Sequence, residues 1–528
     1  MVNTHPVSLC IFWGYAGLLK NSVDYFLASK RRPRFSSIYL FTYEDINFIK
    51  SENSAYAENV QYVSIKDVYN LDQRIELGAT KDSLAAMDLG CLDANFSHFN
   101  ILCDRCSIIP TVSQVQRARF FRHMKKYFIR LLQSYQKVVI YFESYPHYPA
   151  ECVLDICVKY HPNATTIYSH DTTLANYFFM TKNIESKVKP SSWIKCDDTS
   201  FRTNNVSLSD WLSDALRLVK TVVDSDNKNV NDASTGSLSR FAERLNSSSL
   251  ILSSLTPQDY LQMFSPAINR IAYDAARNSN WNSGLLMCER PDENIVRDVY
   301  CQYIYKSFEL LEYYNALCLS VSEIYKKARK ACFVPLHYQP ERSTFPDGGD
   351  YFDQIRFIEE IRSKLHLDYP IIVKEHPTQL VQKFPNPQCG MWRNKAFYDE
   401  IKNIGNTYFA PLNVNHHSLI YESRLIASVT GTSGWQALML GKRCIYGGFP
   451  WYGGHANSFN INDLASIDEL MQMHDISPTD GLCSAIAFFE NIRPCLHRAG
   501  FIETENLEDM ANAAVAWGEA IVSASIVL

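Results

Sequence analysis

Five short apolar runs in this 528-residue chain end abruptly in residues that can hold or move charge. The run 332–336 is followed by His337, Gln339 and Glu341. The run 370–374 closes on Lys374, then Glu375 and His376, and Pro377 stiffens the turn that presents the histidine. The run 425–429 leads into Thr430-Gly431-Thr432-Ser433-Gly434. Nearer the start, 138–142 is followed by Glu143 and His147, and 165–169 by His170 and Asp171. A small turn that opens a helix exposes backbone N–H groups and the positive end of the helix dipole. With three hydroxyls added, the 430–434 turn reads as a seat for a phosphate or carboxylate. Taken alone, a plain strand-to-helix turn capped by Thr or Ser is the favoured reading. It matches neither a P-loop nor GxGxxG. Lys374 and His376 could both reach an anionic ligand; a surface loop with a hydrogen-bonded histidine is the usual reading of an isolated His-Pro. His161-Pro162, which ends a helix, is a His-Pro pair with no function assigned. Glu143 and Asp171 are candidates for a general base, or for a nucleophile on a sugar carbon, with His170 orienting or replacing Asp171. A helix cap or a salt bridge is the structural alternative for each.

For such groups to converge they must lie at the carboxyl ends of parallel strands, where open α/β sheets bind ligands. The rest of the sequence supplies that frame. Apolar runs at 7–12, 37–42, 60–65, 138–142 and 165–169 alternate with helical periodicity over 120–132 and 150–160. The rhythm restarts at 331, with strands expected over 332–336, 370–374, 408–410, 425–429 and 444–446. Phe352, Ile355, Ile358, Ile361 and Leu365 mark one helix face, and a further helix is expected over 435–440. The expected fold class is therefore α/β, with an N-terminal Rossmann-like domain over 1–181 and a C-terminal one over 331–500. A mainly helical insertion and linker is expected over 182–330. It holds a helix face of Trp211, Leu212, Ala215, Leu216, Val219 and Val222, a polar loop at 224–239, and one long helix over 300–327. An amphipathic helix is expected over 501–528.

Composition narrows the function classes. Hydrophobic residues at 46% and charged residues at 20% exclude global disorder. Lys+Arg 51 against Asp+Glu 56 argues against a strongly basic nucleic-acid binder. The first residues lack a basic segment ahead of an apolar one, and no run approaches the roughly 20 apolar residues that span a bilayer. The 15 cysteines are scattered rather than arranged as a small disulfide scaffold, which points to a reducing, cytoplasmic setting. The single C-x-x-C, Cys103 to Cys106, has no second pair and reads as two thiols, so no metal site is expected there. Asp224-Ser225-Asp226 follows Val222-Val223 much as a metal–nucleotide DxD follows a strand. The residues before it have helical periodicity, and that reading is rejected.

Four stretches of the second half occur in a telling order: Val334-Pro335-Leu336-His337-Tyr338-Gln339-Pro340-Glu341, Val373-Lys374-Glu375-His376-Pro377, Thr430-Gly431-Thr432-Ser433-Gly434-Trp435-Gln436-Ala437-Leu438 with Gly441-Lys442, and Gly447-Gly448-Phe449-Pro450-Trp451-Tyr452. Together they resemble the capsular polysaccharide biosynthesis (capsule synthase/export) family, which includes bacterial β-Kdo transferases. The likeness covers roughly 331–454, and extends weakly to Ser144-Tyr145-Pro146-His147. It implies a GT-B glycosyltransferase of bacterial surface polysaccharide synthesis: two Rossmann-like domains facing across a cleft, the acceptor side on the first and a nucleotide-sugar donor on the second. The implied donor residues are His337, Gln339, Glu341, Lys374, His376, Thr430, Gly431, Thr432, Ser433 and Gln436. Kdo from CMP-Kdo is the donor the resemblance suggests, with Arg342 or Lys442 pairing with its carboxylate. The implied partners are the nucleotide sugar and a glycan or glycolipid acceptor. Peripheral contact with the cytoplasmic face of the inner membrane, or with other polysaccharide-assembly proteins, fits the same reading. No metal or other cofactor is required. The family carries Glu where this chain has Gln436, and an amide offers ribose one acceptor oxygen and no charge. The residues after Tyr452, Gly453-Gly454-His455, also depart from the family. Two other readings keep the fold: a nucleotide-sugar epimerase, and a capsule assembly factor without chemistry.

Overall fold

The computed structural model describes residues 8–14, 35–42, 60–64, 94–106, 113–172, 177–195, 256–277, 292–380 and 385–498. The helix face at 211–222, the rejected 222–226 motif, the polar loop 224–239 and the helix expected over 501–528 lie outside those residues. The described chain forms two compact units. Each is a mainly parallel Rossmann-like sheet with helices packed against it, so the fold class is α/β.

The first unit carries β1 (Ser8–Gly14), β2 (Ser37–Thr42), β3 (Val60–Ser64), β4 (Lys137–Phe142), β5 (Ala164–Asp171), β6 (Tyr177–Thr181) and β13 (His497–Arg498). Their order is β13-β6-β5-β4-β1-β2-β3. Strands β1 to β5 are parallel and read as near-continuous apolar runs because such sheets are covered on both faces. Leu9, Cys10, Ile11, Phe12, Val138 and Ile140 have no exposed surface. The helices are α1 (Ala94–Cys106), α2 (Gln114–Gln133) and α3 (Pro149–Val158). In α2 a capping box starts the helix, the Ser113 hydroxyl accepting from the Gln116 amide while the Gln116 side chain accepts from the Ser113 amide. Its buried face is Phe120, Phe121, Met124, Phe128, Leu131 and Leu132. Two strands of the first unit escape the sequence reading. The apolar run of β6 turns back antiparallel on β5, and β13 pairs antiparallel with β6. Because β6 needs a partner along its length, β5 continues through His170 and Asp171 rather than ending before them.

The second unit holds β7 (Cys332–Pro335), β8 (Ile371–Lys374), β9 (Thr407–Phe409), β10 (Leu425–Ser428), β11 (Cys444–Tyr446) and β12 (Ser458–Asn460), all parallel in the order β12-β11-β10-β7-β8-β9. Its helices are α4 (Pro257–Arg277), α5 (Glu293–Leu317), α6 (Val321–Ala328), α7 (Gln354–Lys364), α8 (Pro377–Leu380), α9 (Lys395–Asn403), α10 (His416–Glu422), α11 (Thr432–Met439), α12 (Asp468–Gln472) and α13 (Pro478–Ile492). Strand alternation sends Phe333, Ile372 and Ile426 to one face, where they pack with Ile324, Ala328, Leu419, Ile420 and Ala437.

The helix α5, which precedes β7 in the chain, is integral to this unit. The Tyr314 hydroxyl of α5 donates to the Ala410 carbonyl (2.7 Å) and accepts the Glu375 amide (2.9 Å). The single helix expected over 300–327 is in fact two. It breaks after Leu317, where Cys318 bridges to Phe409, and restarts at a capping box between Ser320 and Glu323. After α13 the chain re-enters the first unit through β13. No described helix is long and apolar enough to cross a membrane.

Candidate functional site

In the second unit β10, β7 and β8 are neighbours, so the loops leaving their carboxyl ends converge. This brings together His337, Lys374, Glu375, His376 and the 430–434 turn. The turn is built around His337, 7% exposed, whose Nε2 lies 3.2 Å from the Ser428 hydroxyl and accepts the Thr430 amide at 3.4 Å. The Ser428 oxygen accepts the Gly431 amide at 3.1 Å. A Cβ on Gly431 would come within 3.0 Å of the His337 ring, so only glycine lets the imidazole sit this close. Gly434 is constrained further, because a Cβ there would lie 2.1 Å from the Tyr452 hydroxyl. That hydroxyl donates to the Gly431 carbonyl at 2.7 Å, which explains why the Trp451-Tyr452 pair accompanies the turn in sequence. Helix α11 begins at Thr432, three residues earlier than the sequence suggests. Thr432 and Ser433 therefore occupy its first turn, where backbone N–H groups have no partner within the helix. The N-cap, Gly431, has no side chain to satisfy them.

Beneath this mouth lies a buried ion pair. Arg393 and Glu375 are 1% and 0% exposed, with Nε to Oε2 at 2.6 Å. The Tyr398 hydroxyl donates to the same carboxylate at 2.7 Å and the His376 amide at 2.8 Å. The guanidinium also donates to the His337 carbonyl at 3.0 Å and to Gln339 Oε1. One arginine thus ties the loop after β7 to the loop after β8. Charge-assisted, bidentate pairing of this kind is geometrically specific, and the additional hydrogen bonds are what make it tolerable in the interior.

Two groups in the mouth lack such partners. Lys374 is 4% exposed, yet no described residue accepts a hydrogen bond from its ammonium or pairs with it within 4 Å. Burial pulls its pKa down to about 8, opposed by the charge of Glu375. The His376 ring atom Nδ1 is enclosed and has no hydrogen-bond partner. Burial, then the charges of Lys374, His337 and Arg393, lower the His376 pKa to about 3. His337 is lowered to about 4, mainly by burial. These imidazoles are neutral at neutral pH, and with Glu375 matched by Arg393, Lys374 is the uncompensated charge of this cluster.

The remaining sequence candidates fall in distinct places. Gln339 is 4% exposed and its side chain is engaged by Arg393, Gln354 and the Phe352 carbonyl, so it braces the loop from inside. Glu341 is exposed and accepts from the Ser343 hydroxyl at 2.6 Å. Gln436 is half-buried in the middle of α11. Arg342 lies 4.0 Å from Asp347. Lys442 is placed differently from the expectation. It precedes β11, hence stands at the amino edge of the sheet, and is paired with Asp475 at 2.8 Å. It cannot serve a ligand at the carboxyl edge.

In the first unit, Glu143 is buried just past the end of β4. The register Phe142↔Tyr168 puts Glu143 and Asp171 one and three residues beyond the same pair on adjacent strands. His170 is 2% exposed, its Nε2 lies 2.7 Å from the Thr181 hydroxyl, and its ring packs on Tyr145 and Phe179. It is fixed inside the β5–β6 hairpin.

Sequence reasoning missed Arg393, Tyr398, Tyr314 and His416. The first three come from segments with no motif of their own. His416 has a signal, the doubled His416-His417 directly after the helix-capping Asn415. Its Nε2 lies 2.9 Å from the Ser433 hydroxyl, and the charges of Lys374 and His376 act on it. Among the described residues no group of three or more His, Cys, Asp or Glu is arranged to hold a metal ion.

No protein-family model matches the chain, and no curated protein matches it. Solved structures to which it is similar include Thermosulfurimonas dismutans KpsC, a beta Kdo 2,4 transferase, at 14% identity over 46% of this chain and 67% of that one, with a TM-score of 0.22. A trehalose-6-phosphate synthase is similar at 11% identity over 98% and 99%, with a TM-score of 0.27. The UDP-GlcNAc 2-epimerase of Methanocaldococcus jannaschii, in complex with UDP-GlcNAc and UDP, is similar at 10% identity over 92% and 99%, with a TM-score of 0.22. Glycosyltransferases and epimerases thus both occur among these structures. At such TM-scores the likeness adds nothing to the strand order as a description of the fold.

Proposed function

We propose that the second unit binds a nucleotide sugar by its phosphate, and that the protein is a glycosyltransferase passing that sugar to a glycan or glycolipid acceptor. The observation that carries this reading is Lys374, 4% exposed and with no described residue pairing with its ammonium, beside the orphaned Nδ1 of His376. A buried charge without a partner costs several kcal/mol, so its retention at the carboxyl edge of the sheet calls for an anion. A phosphate oxygen there meets Lys374, and the free amides at the start of α11 can take another. The same groups would stabilise the leaving phosphate as its charge develops, with no metal required. Motifs resembling the capsule family support a surface-polysaccharide role in bacteria, on the cytoplasmic face of the inner membrane, with CMP-Kdo as the donor to test first. Glu143 and Asp171 are the proposed catalytic carboxylates.

His376→Ala should cut sugar transfer by about 100-fold or more, the scale of losing one transition-state donor, while the melting temperature is kept. Unchanged turnover would remove His376 from the site. Glu143→Gln or Asp171→Asn should lower turnover more than donor affinity. Wild-type turnover in both would place the catalytic carboxylate elsewhere. Product analysis with and without an acceptor separates the classes. Acceptor-dependent transfer supports this reading, and interconversion of the nucleotide sugar alone would make the protein an epimerase.

A further inference from the structure

His416 opens α10, whose N-cap Asn415 accepts the Ser418 amide at 3.0 Å. The imidazole is held edge-on by Phe333 of β7 (centroids 5.7 Å apart, planes at 63°) and by His417 (5.8 Å, 75°). That packing aims Nε2 at the Ser433 hydroxyl, 2.9 Å away in the first turn of α11. Burial and the nearby charges hold the His416 pKa well below its usual value, so the ring is neutral and carries one N–H. The hydroxyl hydrogen of Ser433 can point inward to Nε2 or outward, not both. If it points inward, Ser433 turns only lone pairs toward an anion at the helix mouth. If Nε2 carries the ring proton, Ser433 accepts from the histidine and its own O–H is released outward.

We propose that His416 is a positioning residue: it donates Nε2–H to Ser433 Oγ and thereby directs the Ser433 hydroxyl to a phosphate oxygen at the start of α11. This rests on the phosphate-seat reading of that turn. A hydroxyl that already accepts one hydrogen bond is a better donor for the next, so the pair acts as a unit.

The test is calorimetric titration of the full chain with CMP, UDP, GDP and CDP. Wild type is compared with Ser433→Ala, His416→Phe, His416→Gln and the double variant Ser433→Ala/His416→Phe. Ser433→Ala and His416→Phe should each weaken binding about tenfold, and the double variant should be no weaker than about the poorer single. His416→Gln, whose amide N–H can donate to Oγ, should stay within about threefold of wild type. Penalties that multiply to about 100-fold, or a glutamine variant no better than phenylalanine, would overturn the role of His416 while leaving the seat intact. A wild type that binds none of CMP, UDP, GDP and CDP would overturn the seat, and this inference with it. Should His416→Phe fail to fold, ring nitrogen shifts in the wild type decide. His416 protonated at Nε2 with nucleotide bound supports the proposal, and protonation at Nδ1 contradicts it.

Discussion

Lys374→Met should lose nucleotide binding and gain stability in the same variant. The two effects share one cause. Burial lowers the Lys374 pKa from 10.5 to about 8, and at about 1.4 kcal/mol per pKa unit the folded protein carries a cost of up to about 3 kcal/mol at neutral pH. Methionine has a similar length, no charge and no donor, so the cost vanishes. An anion would be left without its cation, and affinity for a nucleotide phosphate should fall by about 100-fold, the scale of a charge-assisted hydrogen bond. The sign with pH follows from the lowered value. Between about 8 and 10.5 the unfolded chain holds a proton on this lysine that the folded chain has released, so the Lys374 contribution makes stability rise with pH across that window. Over the same window the empty site loses its charge, and phosphate affinity should decline. A bound anion favours the ammonium and moves the decline upward. Chemical denaturation and calorimetry on both proteins measure all of this. A Lys374→Met variant that is destabilised and still binds nucleotide would show that the ammonium serves the fold alone.

Arg393→Met should be among the most damaging single changes in the second unit. It leaves the Glu375 carboxylate, 0% exposed, with only the Tyr398 hydroxyl and the His376 amide. Removing one member of a buried pair typically costs about 3–5 kcal/mol. It also frees the His337 carbonyl and Gln339, so the loops after β7 and β8 lose their common tether and nucleotide affinity should drop too. Adding Glu375→Gln to Arg393→Met should recover part of the stability, because the uncompensated charge is gone, but not the affinity. Denaturation midpoints of the three proteins test this. A loss below about 1 kcal/mol for Arg393→Met would mean that the pair does not hold the loops.

The fold was legible where burial and strand period coincide. The runs that became β4, β7, β8 and β10 are short, apolar on both faces and punctuated by polar turns, and each forms close to its expected place. The strand β6 was equally apolar, but its antiparallel return depends on the hairpin with β5, which no local pattern announces. The 300–327 stretch kept helical periodicity through a break that only the Ser320–Glu323 capping box betrays. At the site, the sequence exposed Lys374, His376 and the 430–434 turn because strand ends and a Gly-rich turn are local features. It could not expose Arg393 or Tyr398, which arrive from a loop and a helix elsewhere in the unit, and its pointer to His416 was the doubled His416-His417 after Asn415. Nor could it separate Gln339, engaged inward by Arg393, from a ligand-facing amide. Lys442 shows the converse error, since its neighbourhood in sequence to Gly441 hid its place at the amino edge.

Ligand-induced stabilisation tests phosphate recognition most directly. The full chain is melted with saturating CMP, UDP, GDP and CDP, with the corresponding sugar-linked forms, and with the unphosphorylated nucleosides. A ligand present at about 100 times its dissociation constant should add about 2.7 kcal/mol to the native state. An upward shift is expected for at least one phosphorylated series, none for its nucleoside, and loss of that shift in Lys374→Met. No shift with any nucleotide, or the same shift with a nucleoside as with its phosphate, would contradict it.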